Sequence, residues 1–99
     1  MLSVIDPIAM AEYRLMGYTI EDINGDRFWY LNGKHHREDG PAVEYSNGNR
    51  YWYFNGKRHR EDGPAVECPD GNRSWYLNGD YIEKMALLLN VLMGLVIGT

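Results

Sequence analysis

Residues 32–73 read "NGKHHREDGPAVEYSNGNRYWYFNGKRHREDGPAVECPDGNR". Arg37-Glu38-Asp39-Gly40-Pro41-Ala42-Val43-Glu44 returns as Arg60-Glu61-Asp62-Gly63-Pro64-Ala65-Val66-Glu67, a step of 23 residues. A fixed period of this length is the mark of stacked structural units, so it governs the fold. Working outward, three tiers align: Gly17 to Gly33, Gly40 to Gly56, and Gly63 to Gly79. All three keep a leading glycine, a glutamate (Glu21, Glu44, Glu67), an inner glycine (Gly25, Gly48, Gly71) and an arginine (Arg27, Arg50, Arg73). They also share a Trp-Tyr pair and a closing Asn-Gly.

Each tier reads as a β-hairpin. Ala42-Val43-Glu44-Tyr45 is a short β-prone run. Asn47-Gly48 follows, a dipeptide that tolerates the positive φ of a tight hairpin turn. Arg50-Tyr51-Trp52-Tyr53-Phe54 is rich in aromatics that suit a pleated surface. Pro41 and Pro64 stand just before a strand, where a missing N–H does least harm. The spacing predicts six antiparallel strands near 19–23, 27–31, 42–45, 50–54, 65–68 and 73–77, with the "NGKHHREDGP" and "NGKRHREDGP" segments as links. Alternation along a strand puts Trp29/Leu31, Trp52/Phe54 and Trp75/Leu77 on one face, expected to form a core ladder.

Two helices are expected to frame the repeat. Asp6 would cap the first, with Pro7 at its first position and Gly17 at its end. Asp80-Tyr81-Ile82-Glu83 reads as a capping box for the second, from Tyr81 to about Val96. That helix is apolar nearly all round, so it must be covered on every side. Ile82, Met85, Leu88, Leu89, Leu92 and Val96 are the candidate contacts of a homodimer, and the helix could also seal the sheet end. The expected fold class is α+β, mainly β: an antiparallel meander of three stacked hairpins, residues 17–79, flanked by helices at 1–16 and 80–99, in a single domain.

The 99 residues are 44% apolar and 24% charged, a globular balance. A net charge of -4 gives no electrostatic reason for nucleic-acid binding. Cys68 stands alone, so no internal disulfide can form, which fits a reducing, cytoplasmic setting. "MLSVIDPIAMAEYRL" has no basic segment ahead of an apolar run and does not read as a signal peptide. The apolar tail falls short of the roughly 20 residues that span a bilayer, so no membrane insertion is expected.

The densest polar cluster is His35, His36, Arg37, Glu38, Asp39, echoed by Arg58, His59, Arg60, Glu61, Asp62. A catalytic reading makes His36 or His59 a base beside an acid. A fastener reading has Arg-Glu-Asp tie one tier to the next, and recurrence favours it: a fastener is needed at every step, an active site once. His36, Arg37, Glu38, Asp39, His59, Arg60, Glu61 and Asp62 are therefore the candidate partner-binding residues. No catalytic residue and no cofactor is assigned. A zinc site from His35, His36, His59 and Cys68 lacks ligand spacing, so no metal is expected. Arg27, Arg50 and Arg73 could hold an anion, but pairing with Glu21, Glu44 and Glu67 across each hairpin is favoured.

The Tyr-x-Asn-Gly, Gly-x-Ala, second-glycine pattern over roughly residues 17 to 79 resembles the MORN repeat and its bacterial MORN_2-like relatives. The variant "WYxNGKxHREDGPAVE" is similar to small phage and bacterial repeat proteins. The resemblance implies a rolled sheet of hairpins that scaffolds binding rather than a reaction. It implies a non-enzymatic module that binds a protein, as a small viral effector inhibiting a host protein, with a defence component among the candidate targets, in the host cytoplasm. The alternatives are a nucleotide- or small-anion-sequestering protein using arginine and aromatic side chains, an antitoxin-like scaffold, and a minor hydrolase with a His/Asp pair.

Overall fold

A computed structural model describes residues 7–84. It is mainly β. One helix, α1 (Pro7–Leu15), precedes ten strands: β1 (Tyr18–Ile23), β2 (Asp26–Leu31), β3 (Lys34–His35), β4 (Val43–Glu44), β5 (Arg50–Tyr51), β6 (Tyr53–Phe54), β7 (Lys57–Arg58), β8 (Val66–Glu67), β9 (Arg73–Leu77) and β10 (Asp80–Ile82). All pairings are antiparallel, in the order β1-β2-β4-β5-β8-β9-β10; β3 pairs with β2, and β6 with β7.

Two kinds of turn generate this arrangement. Tyr45 N–H donates to Asn49 O, and Gly48 N–H to Tyr45 O, both at 2.9 Å. In that loop only Gly48 takes positive φ (99°). This is a three-residue hairpin connection with its left-handed residue last, and not the two-residue turn expected at Asn47-Gly48. Asn24-Gly25, Asn32-Gly33, Asn55-Gly56 and Asn78-Gly79 do take positive φ at both positions, for example 50° and 81° at Asn55 and Gly56. That is the signature of the primed turn whose twist matches the flanking strands. The closing Asn-Gly of each tier therefore opens a further hairpin. The segments expected to be plain links begin with β3 and β7, and the first three residues of the expected Asp80-Tyr81-Ile82-Glu83 capping box are instead β10, paired as Tyr81↔Tyr76 and Ile82↔Trp75. Ile82 is thus a strand residue. Met85, Leu88, Leu89, Leu92 and Val96 of the expected helix lie outside the described residues, as does Asp6, the expected cap of the first helix.

The tryptophans of the first two units are pivots. Trp29 N–H donates to Ala42 O at 2.8 Å, while its carbonyl accepts from His36 N–H at 3.2 Å. Trp52 repeats this with Ala65 at 2.8 Å and His59 at 3.1 Å. Before the tryptophan a strand pairs with the Ala-Val-Glu strands; after it, the same chain pairs with the short strand beyond the Asn-Gly turn. Gly56 N–H to His35 O (2.8 Å) and Gly79 N–H to Arg58 O (2.8 Å) join these second hairpins to one another.

Trp29 is fully buried in a cluster with Tyr18, Ile20 and Ala42; Val43, Ala65 and Leu77 are also buried. α1 closes this end. Tyr13 sets its ring edge-on to Trp29 at 4.7 Å, and Met10 packs beside it. The helix ends where Gly17, at φ 95°, turns the chain into β1. The expected ladder of three enclosed tryptophans is corrected here: Trp52 and Trp75 are only half-buried. No second helix covers them among the described residues, and Trp52 faces a groove. No helix among the described residues is long and apolar enough to cross a membrane.

Candidate functional site

The repeated Arg-Glu-Asp-Gly-Pro segments run between the short strand of one unit and the Ala-Val-Glu strand of the next. Each begins with a histidine facing inward. His36 is 3% exposed, and its Nδ1 accepts the backbone N–H of Asn55 at 2.9 Å; His59 Nδ1 accepts the N–H of Asn78 at 2.9 Å. Each imidazole therefore caps the Asn-Gly turn of the following unit. Accepting at Nδ1 places the ring proton on Nε2. In His59 that nitrogen lies 3.2 Å from Glu61 Oε2; in His36 it is buried 3.5 Å from Glu38 Oε2 and makes no hydrogen bond.

The arginines are the fasteners. The Arg37 guanidinium lies 4.0 Å over the Trp29 ring, and Arg60 lies 4.0 Å over Trp52. Arg37 Nε donates to Asp39 (3.1 Å), and its Nη1 to Pro41 O (3.2 Å) and Glu44 (3.3 Å). Arg60 repeats the set with Asp62 (3.0 Å), Pro64 O (3.1 Å) and Glu67 (3.4 Å). The leading glycines follow from this packing. A Cβ on Gly40 would sit 2.8 Å from Arg37 Cζ, and one on Gly63 2.9 Å from Arg60 Cζ. The guanidinium is flat against the glycine on one side and the indole on the other, so any side chain there displaces it.

The first copy carries one more tie. The Tyr13 hydroxyl donates to Asp39, linking α1 to the segment. Burial works to raise the Asp39 pKa, but the hydrogen bonds from Tyr13 and Arg37 outweigh it and hold the carboxyl below its ordinary value. The same bond, with burial second, pushes the Tyr13 hydroxyl up. A carboxyl depressed on folding contributes stability that is present above its unfolded pKa and lost as pH falls through the folded one. Urea midpoints of Asp39→Asn should therefore trail wild type near neutral pH and converge with it below the ordinary carboxylate range. Curves that stay parallel through that range would count against the Tyr13–Asp39–Arg37 linkage.

Together the two segments border one groove of about 770 Å³. Arg37, Glu38, Asp39, Gly40 and Pro41 line one wall, His59, Arg60, Glu61 and Asp62 the other, and Trp52 and Phe54 the floor. The volume falls within the range of ligand pockets. Comparison with known proteins gives no match: no family model, no curated protein and no solved structure matches the chain. The reading of the groove rests on its own geometry.

Seven of the eight candidate partner-binding residues line the groove; His36 lies behind it, under the Asn55 turn. Sequence reasoning missed Trp52, Phe54, Gly40 and Pro41 as lining residues, having assigned both aromatics to the core. The spacing of eight from Trp29 to Arg37, repeated from Trp52 to Arg60, was the available signal.

The other candidates disperse. Among the described residues no three of His, Cys, Asp and Glu come together as metal ligands. His35 stacks on Tyr30 at 4.5 Å and nears Tyr53 at 5.2 Å, while Cys68 borders a separate depression of about 230 Å³. The arginine pairings also differ from expectation: Arg27 meets Asp22 at 3.4 Å, Arg50 meets Glu67 of the next unit at 3.1 Å, and Arg73 donates to Gly71 O at 3.1 Å.

The charge of the groove follows from these contacts. Each wall guanidinium already has two carboxylates and a carbonyl as acceptors, leaving little positive potential for an incoming anion. The carboxylates point outward: the Glu38 side chain is 71% exposed, Glu61 43% and Asp62 87%. The groove is acid-rimmed, aromatic-floored and open to water.

Proposed function

We propose that this chain is a non-enzymatic protein-binding module that docks a partner in the groove between its two Arg-Glu-Asp segments. One observation carries the reading: duplicated segments place exposed carboxylates on both walls of an open groove with half-buried aromatics at its base. Half-buried aromatics bordered by polar groups are what protein interfaces use as anchors. A hydrolase reading is less well supported. Both nitrogens of His59 are committed, Nδ1 to a backbone N–H and Nε2 to Glu61, and the water-exposed Glu61 gives no dry site for proton transfer. Nucleotide sequestration is disfavoured because each wall guanidinium is already paired with two carboxylates.

The resemblance to MORN-type repeats extends the reading to a small effector that inhibits a host protein by covering it, in the host cytoplasm. A homodimer through the apolar residues beyond the described sheet belongs to the same proposal. Sizing of wild type beside Leu88→Glu and Leu92→Glu checks it: dimer mass for the first, monomer for the others.

The docking test is affinity capture from host cells with wild type, Glu61→Lys and Asp62→Lys, all verified as folded by circular dichroism. Wild type should retain a protein that both charge reversals release. Retention indifferent to the groove charges would overturn the reading.

A further inference from the structure

One row of side chains crosses the sheet from β1 to β9. Asp22 stands opposite Arg27, Arg27 opposite Glu44, Glu44 opposite Arg50, Arg50 opposite Glu67, and Glu67 opposite Arg73. Residues directly opposite in an antiparallel ladder share a face. The row therefore alternates acid and base, and two of its members close ion pairs along it, Arg27–Asp22 at 3.4 Å and Arg50–Glu67 at 3.1 Å. It ends on unlike charges. The aspartate at the β1 edge leaves 54% of its side chain in water, and the arginine on β9 is exposed.

The backbone is open at both ends of this row. Among the described residues β1 has β2 as its single neighbour. β2 carries β4 beside Arg27 and Phe28, and β5 carries β8 beside Arg50 and Tyr51. On the same side of β9, β10 lies beside Trp75 to Leu77, but no strand among the described residues lies beside Arg73 and Ser74. The strand position filled twice by Val-Glu is open the third time.

The two edges also match in backbone phase. The two-residue Asn24-Gly25 turn makes Ile23 and Asp26 a hydrogen-bonded pair, so alternation directs the N–H and C=O of Asp22 and Ile20 to the open side of β1. On β9, Asn72 O accepts from Cys68 N–H (2.9 Å) and Ser74 O from Ala65 N–H (2.8 Å), so Arg73 and Trp75 turn their groups away from β8. Asp22 set opposite Arg73 puts Ile20 opposite Trp75, whose counterparts Trp29 and Trp52 donate to Ala42 O and Ala65 O.

We propose that a second copy of this chain adds its β1 to the open edge of β9, with Asp22 of the incoming copy beside Arg73, and so continues the sheet from copy to copy. Acid meets base at this junction as at every step inside the chain. The contact is heterologous and leaves one free edge at each end, so assembly is open. It uses backbone pairing and paired charges, without the histidine caps and stacked arginines that join units within one chain. It lies apart from the groove and from the tail contact.

Sedimentation velocity of the whole chain, from micromolar to millimolar concentration, tests this. Wild-type mass should climb past the dimer. Asp22→Arg and Arg73→Glu, each verified as folded by circular dichroism, should each weaken association by about tenfold, since each sets like charges face to face. Mixed together they should regain the wild-type rise, because opposite charges meet again wherever unlike copies join. Lys57→Glu, a reversal on β7, serves as the control that keeps the rise. Asp22→Pro removes an outward N–H, spares the bonds to β2 and should also stop growth. A mass that stays constant with concentration, reversals without effect, or folded variants that remain apart when mixed would overturn the proposal. Undiminished growth of Asp22→Pro would overturn strand addition. Leu88→Glu should lower the starting mass and keep the rise; a rise lost with Leu88→Glu would assign growth to the tail and overturn the proposal.

Discussion

Arg37→Ala should lower the stability of the fold by about 3–5 kcal/mol, since it removes one ionic partner of a buried carboxylate together with a stacked cation and two further hydrogen bonds. Glu44, whose carboxylate Arg37 meets at 3.3 Å, is fully buried. The substitution also uncovers Trp29, loses the bond to Pro41 O and frees Asp39 from half its support. The equivalent Arg60→Ala should cost less, about 1–3 kcal/mol, because Glu67 is 18% exposed and water can take over. Arg37→Lys should recover little, since an ammonium cannot reach three separated acceptors and lie flat on an indole at once. Urea unfolding followed by circular dichroism gives all three values. Adding Glu44→Gln to Arg37→Ala should restore part of the loss, because the buried charge is gone. A loss within about 1 kcal/mol for Arg37→Ala alone would show that the Arg37 contacts contribute little to holding Glu44 and Trp29 in place.

Trp29→Ala should be comparably damaging, at about 3–5 kcal/mol for a large aromatic removed from a closed site. Its ring is fully buried, edge-on to Tyr13 at 4.7 Å and Tyr18 at 6.0 Å, with Arg37 across its face. In a domain whose whole stability is of order 5–15 kcal/mol, that loss leaves the chain near its margin. Trp29→Phe, which keeps a ring under the guanidinium, provides a folded comparison. Trp52→Ala should cost clearly less, since that ring is only partly buried. Measured together, Trp29→Ala and Arg37→Ala should fall short of additivity by about 0.5–3 kcal/mol, because both break the same stack. Full additivity would mean that the 4.0 Å stack contributes nothing of its own.

How much of this was readable in the chain depended on whether the information was local. The antiparallel, mainly β character followed from a period visible by sliding the sequence over itself. Asn-Gly turns were visible as turns because their φ requirement is local to two residues. That they lead into β3, β7 and β10 was not, since Lys34-His35 and Lys57-Arg58 have no apolar alternation to announce a strand. They hold by backbone pairing and by side chains lying on neighbouring tyrosines, His35 on Tyr30 and Arg58 over Tyr51 and Tyr76. Asp80-Tyr81-Ile82-Glu83 satisfied a helix-capping pattern equally well, and pairing with Trp75 and Tyr76 decided the matter. Sliding Lys57-Arg58 forward by one period onto Asp80-Tyr81 would have hinted at it.

The candidate site was legible by residue but not by arrangement. Recurrence marked Arg37 to Asp39 and Arg60 to Asp62 as important, and the fastener reading of the arginines agrees with their contacts. Their convergence with Trp52 on one groove was hidden, because alternation assigned that indole to the interior. It is half-exposed because α1 packs at Trp29 and no equivalent cover reaches Trp52 among the described residues. The capping of Asn55 by His36, 19 residues away, matches no helical or strand period and needed coordinates.

At the far end of the sheet the cassette lapses: Ile82 stands one period beyond His59, and Glu83 one period beyond Arg60. Neither can cap a turn or cover an indole as its counterparts do. Growth of such an array by gene duplication is therefore directional. A copied block of 23 residues can be spliced between Arg37 and His59 and find a histidine ahead of it and a turn behind it, whereas one appended after Ile82 meets no docking chemistry. Relatives of different length would be expected to differ by whole internal blocks while keeping both ends.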